Sequence, residues 1–270
     1  MRTIAHLSDL HFGRVDPVLL DPLVAAVTAA APDVVAISGD LTQRAKAWQF
    51  EQADAFLQRL PQPCIVVPGN HDVPLYDVLR RFAAPLRRYR RIITPDLAPF
   101  HRDDAIAVLG LNTARSLTFK GGRLNEEQLA LARERLAPLD EDIVRVVVTH
   151  HPFDLPAHGD EDDIVGRAHM AMRTFAHCGI DLFLSGHLHV SHAAGTAGRY
   201  AIPGFAALVV QAGTATSTRG RGEANSFNVI RTASARIEVE THSWQPGLGA
   251  FAASSRSVFT RNDGIWAPAP

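Results

Sequence analysis

Apolar runs of four to seven residues recur along the first two thirds of the chain, and most of them stop at a Gly, Asp, Asn or His. Residues 2 to 7, 33 to 38 and 64 to 68 read as buried strands. Between them, residues 17 to 30 and 46 to 59 carry the helical period; the second places Trp48, Phe50, Ala53, Phe56, Leu57 and Leu60 on its apolar positions. Strand-helix-strand-helix-strand order predicts parallel pairing, with loops at the strand C-termini. Further along, an arginine-rich helix is expected over 74 to 91 and a strand over 105 to 111. A helix begun at Asn125, a strand at 143 to 149, a helix at 166 to 178 and a strand at 181 to 185 follow. Beyond residue 195, short strands near 206–212, 226–232 and 236–243 are separated by Gly and Ser and suit antiparallel pairing. The reading is one α/β domain over 1–244, with 245–270 as a C-terminal surface tail.

The chemistry gathers at the strand ends. The first strand ends in Asp9-Leu10-His11, the second in Gly39-Asp40 and the third in Gly69-Asn70-His71-Asp72. Later strands end in His150-His151-Pro152 and Gly186-His187-Leu188-His189. Parallel open sheets bind their ligands at those ends. Asp9 and His11 are two apart, as are His187 and His189, so in extended backbone each pair points to one side and can chelate one centre. Asp9, His11, Asp40, Asn70, His150, His187 and His189 are too many ligands for one ion. They suit two ions about 3.5–4 Å apart that share a carboxylate. Oxygen and imidazole donors without thiolates point to Mn, Fe or Zn in a working site and away from a structural zinc.

Composition adds limits. The chain has 270 residues and a formal net charge of -1, so no global charge calls for nucleic acid or a membrane surface. Cys64 and Cys178, the two cysteines, sit in apolar settings and read as free thiols of a reducing compartment. No secretory leader is visible, no apolar run approaches the roughly 18 residues of a membrane span, and cytoplasmic residence is expected. Thirteen histidines are many for such a chain. His6 reads as core or as support for the site. His158, His169 and His177 read as structural or surface residues.

The ordered set Asp9-Leu10-His11, Gly39-Asp40, Gly69-Asn70-His71-Asp72, His150 and Gly186-His187-Leu188-His189 resembles the calcineurin-like metallophosphoesterase family. Within it, the stretch "LGLNTARSLTFKGGRLNEEQLALARERL" is similar to the small bacterial class III cyclic-nucleotide and glycerophosphodiester phosphodiesterases. The resemblance implies a four-layer αββα sandwich and two metal ions. One would be held by Asp9, His11, Asp40 and His189, the other by Asp40, Asn70, His150 and His187. Asp40 is thus the shared carboxylate. A hydroxide bridging the ions would attack phosphorus in line, with His71 at the leaving-group oxygen. Arg44 aligns with a phosphate-contacting arginine, and His151 is a further substrate-contact or supporting residue. Phosphoprotein-phosphatase relatives carry an Asp that orients the catalytic histidine; here Gln43 stands in that place, so Asp72 or another group orients His71, or nothing does.

Two basic stretches complete the inventory. Arg80, Arg81, Arg87, Arg88, Arg90 and Arg91 read first as a solvated helix face and second as a recruiter of nucleotide, nucleic acid or phospholipid headgroup. Arg219 and Arg221, in a Gly- and Ser/Thr-rich loop, are candidate phosphate contacts. The expected activity is hydrolysis of small phosphodiesters, cyclic nucleotides before glycerophosphodiesters. The rivals are a phosphomonoesterase, a phosphoesterase directed at nucleic acid or phospholipid headgroups, and a silent metal-binding interaction protein. A homo-oligomer is compatible with the sequence.

Overall fold

The computed structural model describes residues 1–270 except 119, 157, 158, 219–221 and 270. The first half alternates as expected: β1 (Arg2–Leu7), α1 (Leu20–Ala29), β2 (Val34–Ile37), α2 (Ala47–Leu57) and β3 (Cys64–Val66). Then come α3 (Val78–Ala83), α4 (Arg87–Ile92), β4 (Phe100–Arg102), β5 (Ile106–Gly110), α5 (Glu126–Leu136), β6 (Val144–Val148), α6 (Ala168–His177) and β7 (Leu182–Ser185). The chain closes with β8 (His192–Gly195), β9 (Leu208–Gln211), β10 (Ser226–Ala233), β11 (Arg236–Gln245), β12 (Ala250–Asn262) and β13 (Ile265–Pro268).

The strands form two mixed sheets. One runs in the order β13-β12-β11-β10-β1-β2-β3 and the other β4-β5-β6-β7-β9-β8. Each central strand is buried on both faces, and its alternate residues enter different cores. Ile4, Val34, Ala36 and Ile65 of the first sheet meet Val108, Val146, Leu184 and Val210 of the second in a shared middle layer. Ala5, Leu7, Val35 and Ile37 point the other way, onto Leu23 and Val27 of α1 and Phe50, Ala53 and Phe56 of α2. Leu109, Val147 and Phe183 pack outward onto Leu129 and Leu136 of α5 and Met172 and Phe175 of α6. Period-2 side chains on two stacked sheets with helices outside give the four-layer αββα order.

Several expectations need correction. The helix over 74 to 91 is two short ones, α3 and α4. Pro85 lacks the amide needed to continue the first, and Ala84 leaves helical geometry at φ -156°. β9 runs parallel to β7 and antiparallel only to β8. The segment 245–270, expected as a surface tail, supplies β12 and β13, and β12 pairs along the length of β11 from Arg236↔Thr260 to Gln245↔Ala250. Its side chains from Ser254 to Ser257 are exposed, so apolar alternation gives no sign of the strand there.

Candidate metal centre

β1, β2 and β3 are parallel neighbours, as are β5, β6, β7 and β9, so their C-terminal loops lie at one end of the stacked sheets. The loops interlock through the backbone: Asp9 N–H donates to Gly39 C=O at 3.1 Å and Gly186 N–H to His150 C=O at 3.1 Å. Glycine is required at two of these crossings. A Cβ on Gly69 would sit 2.1 Å from Asp40 Oδ1, and one on Gly186 would sit 1.8 Å from Ser8 Oγ and 2.6 Å from Asp9 Oδ2.

Five of the seven expected ligands have left-handed backbone: Asp9 at φ 54°, His11 at 51°, Asp40 at 52°, His187 at 75° and His189 at 61°. Non-glycine residues rarely hold this conformation. It costs about 1–3 kcal/mol each and persists where surrounding structure fixes it, commonly at functional sites. The extended geometry assumed for the i, i+2 pairs is therefore absent. Asp9 and His11 still converge, with His11 Nε2 3.4 Å from Asp9 Oδ1. His187 and His189 diverge into two neighbouring subsites, correcting the expectation that this pair chelates one centre.

In the first subsite, Asp9 Oδ1 lies 3.4 Å from His11 Nε2 and 3.5 Å from His189 Nε2. The His11 and His189 rings stack with centroids 5.1 Å apart, and His189 Nδ1 pairs with Thr214 Oγ1 at 2.5 Å. In the second subsite, His150 Nδ1–H donates to Ser38 C=O at 2.8 Å, which leaves Nε2 with its lone pair in the neutral ring. That nitrogen faces Asn70 Oδ1 at 3.0 Å, His187 Nδ1 at 3.2 Å and Asp40 Oδ1 at 3.5 Å. Lone pairs that converge on one buried point repel unless a cation lies between them, so the donor set fits metal ions. Asp40 joins the two halves: its Oδ2 is 3.8 Å from His11 Nε2, while its Oδ1 serves the His150 side.

Electrostatics agree. Burial opposes ionisation of Asp9, yet His189, His11 and His150 outweigh it and hold the carboxyl well below its usual range. Burial likewise opposes ionisation of Asp40, and His150, His71 and His11 overcome it. Both carboxylates are ready to ligate, while burial first of all keeps the His150 ring from protonating. Buried His/Asp clusters thus suit a binuclear metal site: the donor atoms of Asp9, His11 and His189 lie within 4.8 Å of one another, and so do those of Asp9, Asp40 and His150.

His71 stands beside the centre, its N–H donating to Asp40 Oδ1 at 2.8 Å. Asp72 does not orient its ring. That carboxylate instead ties two loops together, accepting from Leu41 N–H at 3.1 Å, Gly69 N–H at 2.9 Å, and Thr42 N–H and Oγ1–H at 2.9 Å each. Burial and the nearby Asp40 push it up to about 7. The backbone of Gln43 takes the orienting role: His71 Nδ1–H donates to Gln43 C=O at 3.0 Å. Arg44 lies alongside, with Nη1 3.4 Å from His71 Nδ1 and its guanidinium 5.8 Å from the Tyr76 ring centre.

His151 is not placed for substrate. Its Nε2–H donates to Lys120 C=O at 2.6 Å and its Nδ1 accepts from Thr113 Oγ1 at 2.8 Å, so both ring nitrogens are taken. It packs against His150 and His187 and supports them from behind. Arg219, Arg221 and His158 lie outside the described residues. His6 is buried between the sheets with Nε2 2.9 Å from Ser38 Oγ, a supporting position. Two partners were not anticipated from sequence: Asp163, whose Oδ1 is 3.3 Å from His187 Nε2, and Thr214 behind His189. Such carboxylate and hydroxyl contacts fix which ring nitrogen faces a metal. The acidic run 160–163 was the available signal for Asp163.

Comparison with known proteins gives the same picture. The calcineurin-like phosphoesterase family profile matches residues 2–191. A probable cyclic nucleotide phosphodiesterase of Synechococcus sp. is 26% identical over 166 residues, which cover 56% of this chain and 58% of that protein. The yellow lupin purple acid phosphatase PPD1 superposes with a TM-score of 0.72 at 12% identity, covering 97% of this chain and 54% of the plant protein. A dimetal phosphatase from Danio rerio superposes at 0.66 and 13% identity, covering 93% and 98%. At these identities the structural likeness concerns the fold. The chain spans only about three fifths of the curated relative and just over half of the plant enzyme.

Proposed function

The chain belongs to the calcineurin-like phosphoesterase family, and from that premise we propose that it is a two-metal phosphodiesterase acting on small phosphodiesters, cyclic nucleotides first and glycerophosphodiesters second. The observation that carries the reading is Asp40, whose two oxygens face His11 on one side and His150 on the other. The diester preference draws support from the name of the cyanobacterial relative.

Asp9, His11 and His189 with one oxygen of Asp40 would hold one ion; Asn70, His150 and His187 with the other oxygen would hold the second. Mn, Fe and Zn all suit this donor set. When bound, the pair supplies Lewis-acid neutralisation of the phosphoryl charge and activates water for in-line attack. The chain does the rest. Asp163, Thr214 and Ser38 C=O keep the imidazoles turned toward the centre. His71, anchored through Nδ1–H to Gln43 C=O, turns Nε2 toward the leaving-group oxygen and gives it a proton when the ring is doubly protonated. Arg44, beside His71, contacts a non-bridging phosphoryl oxygen as a charge-assisted donor. Arg219 and Arg221 are kept as candidate phosphate contacts from sequence alone.

The test is a metal analysis followed by matched assays of natural cyclic nucleotides, glycerophosphodiesters, an aryl diester and its monoester, on protein loaded with Mn, Fe or Zn. Diester turnover above monoester turnover is expected. A reversed preference would move the reading to a monoesterase, and two bound ions without turnover on any substrate would favour a metal-binding interaction protein.

A further inference from the structure

One face of the molecule breaks two rules at once. Tyr76, Val78, Leu79, Phe82 and Leu117 are large apolar side chains left 78%, 60%, 85%, 56% and 77% exposed. Soluble proteins scatter such residues singly, whereas these gather on α3 and the facing loop. The gathering is built in: the buried Arg81 of α3 donates through Nε to Ser116 C=O at 2.7 Å, through Nη2 to Thr118 C=O at 2.5 Å and through Nη1 to Pro74 C=O at 2.9 Å. That clamp brackets Leu117 and holds its loop against the helix. Beside the ridge runs a groove of about 1010 Å³, to which Leu117 itself contributes, lined by Arg87, Arg90, Arg91, Arg115 and Arg123. No acidic side chain among the described residues lines it. Among the described residues none of the five makes an ion pair; the salt bridge at this face is the one between Arg80 and Asp77, at 2.8 Å.

We propose that this face is a docking surface for a lipid bilayer bearing anionic headgroups, with Leu79, Phe82 and Leu117 entering the acyl boundary and the groove arginines meeting headgroup phosphates. An apolar ridge flanked by cations is the chemistry of proteins that lie on a membrane. A second copy of the chain fits worse, since pairing through this face would set two carboxylate-free arginine grooves against each other. A single-stranded nucleic acid would want aromatic rings along the groove to stack its bases, and none of the described residues that line it is aromatic. No helix among the described residues is long and apolar enough to cross a membrane. The surface adjoins the candidate centre, because Tyr76, at the edge of the ridge, packs under Arg44 and Arg44 reaches His71. The inference stands on this face alone and does not depend on the hydrolytic reading.

The experiment is sedimentation of the full chain with vesicles of phosphatidylcholine alone or mixed with phosphatidylglycerol. Partitioning onto the anionic vesicles is expected to exceed that onto phosphatidylcholine by tenfold or more. Leu79→Asp and Phe82→Asp should each lower it at least tenfold, and the Arg90→Gln/Arg91→Gln pair by roughly twenty-five-fold, since each basic side chain near an anionic surface is worth about fivefold. Leu248→Asp, at an exposed position in the β11–β12 turn, should leave it unchanged. All five substitutions are at exposed sites, and unaltered melting temperatures establish that the four variants are folded. No partitioning onto anionic vesicles, or equal partitioning onto both compositions, would overturn the proposal. So would a dimer in sedimentation velocity that Leu79→Asp dissociates while the vesicles bind nothing.

Discussion

Replacing Asp40 by Asn separates metal binding from folding. The isosteric amide keeps one oxygen and loses the charge, so it can serve one subsite but not both. The wild-type carboxylate reaches toward His150 Nε2 at 3.5 Å with Oδ1 and His11 Nε2 at 3.8 Å with Oδ2. Metal content is therefore expected to fall from two ions per chain to one. Loss of a single preorganised transition-state donor costs roughly 10²–10³ in kcat. An ion lost from the centre removes more than one donor, so a drop of about 10³ or greater is expected. The metal-free protein should still fold, with reduced stability. Burial and the nearby Asp9 oppose ionisation of Asp40, yet His150, His71 and His11 outweigh them and hold its carboxyl below the usual range. The ionised form therefore favours the native state, and the neutral amide forfeits that contribution at neutral pH. A lower metal-free melting temperature is expected. Metal analysis, kcat and calorimetry of the metal-free proteins read out the three effects. Two ions retained in Asp40→Asn, or a higher metal-free melting temperature, would refute the reasoning.

Other outcomes follow from the same geometry. Gly186→Ala forces a methyl into Ser8 Oγ and Asp9 Oδ2 and should cost about 1–3 kcal/mol in chemical denaturation with weakened binding at the first subsite; an unchanged midpoint would show that the loops do not interlock as described. His71→Asn should reduce turnover of a diester with an alkoxide leaving group roughly 10²-fold or more and of an aryl diester far less, whereas Gln43→Ala, which keeps the backbone carbonyl, should change either by less than tenfold. His6 is held neutral, burial pushing its pKa from 6.5 to about 3. The folded state then binds fewer protons than the unfolded one, so stability is complete above pH 6.5 and lost as pH falls toward 3. The loss by pH 5 is about 2 kcal/mol. His6→Gln should lose that much less than wild type between pH 7.5 and pH 5 in urea unfolding, and parallel losses would contradict it.

The sequence disclosed the candidate centre better than its surroundings. Apolar runs that end in Asp, Asn or His mark strand C-termini, and parallel pairing brings those ends together, so seven positions could be named without coordinates. Their orientation was not legible. Spacing of two suggests a shared direction, but left-handed backbone at His187 and His189 sends the rings to different subsites. His71 is steered by a main-chain carbonyl, which no side-chain pattern reports. Asp163 meets His187 across 24 positions. The missed strand β12 lies in a stretch of exposed small and polar residues, where the ladder to β11, and not burial, holds the chain. The arginine run on α3 and α4 reads as one solvated helix face until Pro85 breaks it and the loop carrying Leu117 closes over it.

The central claim is that Asp40 bridges two ions. Titration of the metal-free chain with Mn²⁺, followed by electron paramagnetic resonance, tests it most directly. Two ions about 3.5–4 Å apart across a shared carboxylate would give an exchange-coupled spectrum at two equivalents, replaced in Asp40→Asn by the signal of isolated ions. Saturation of the wild-type chain at one ion with an uncoupled signal would contradict the account.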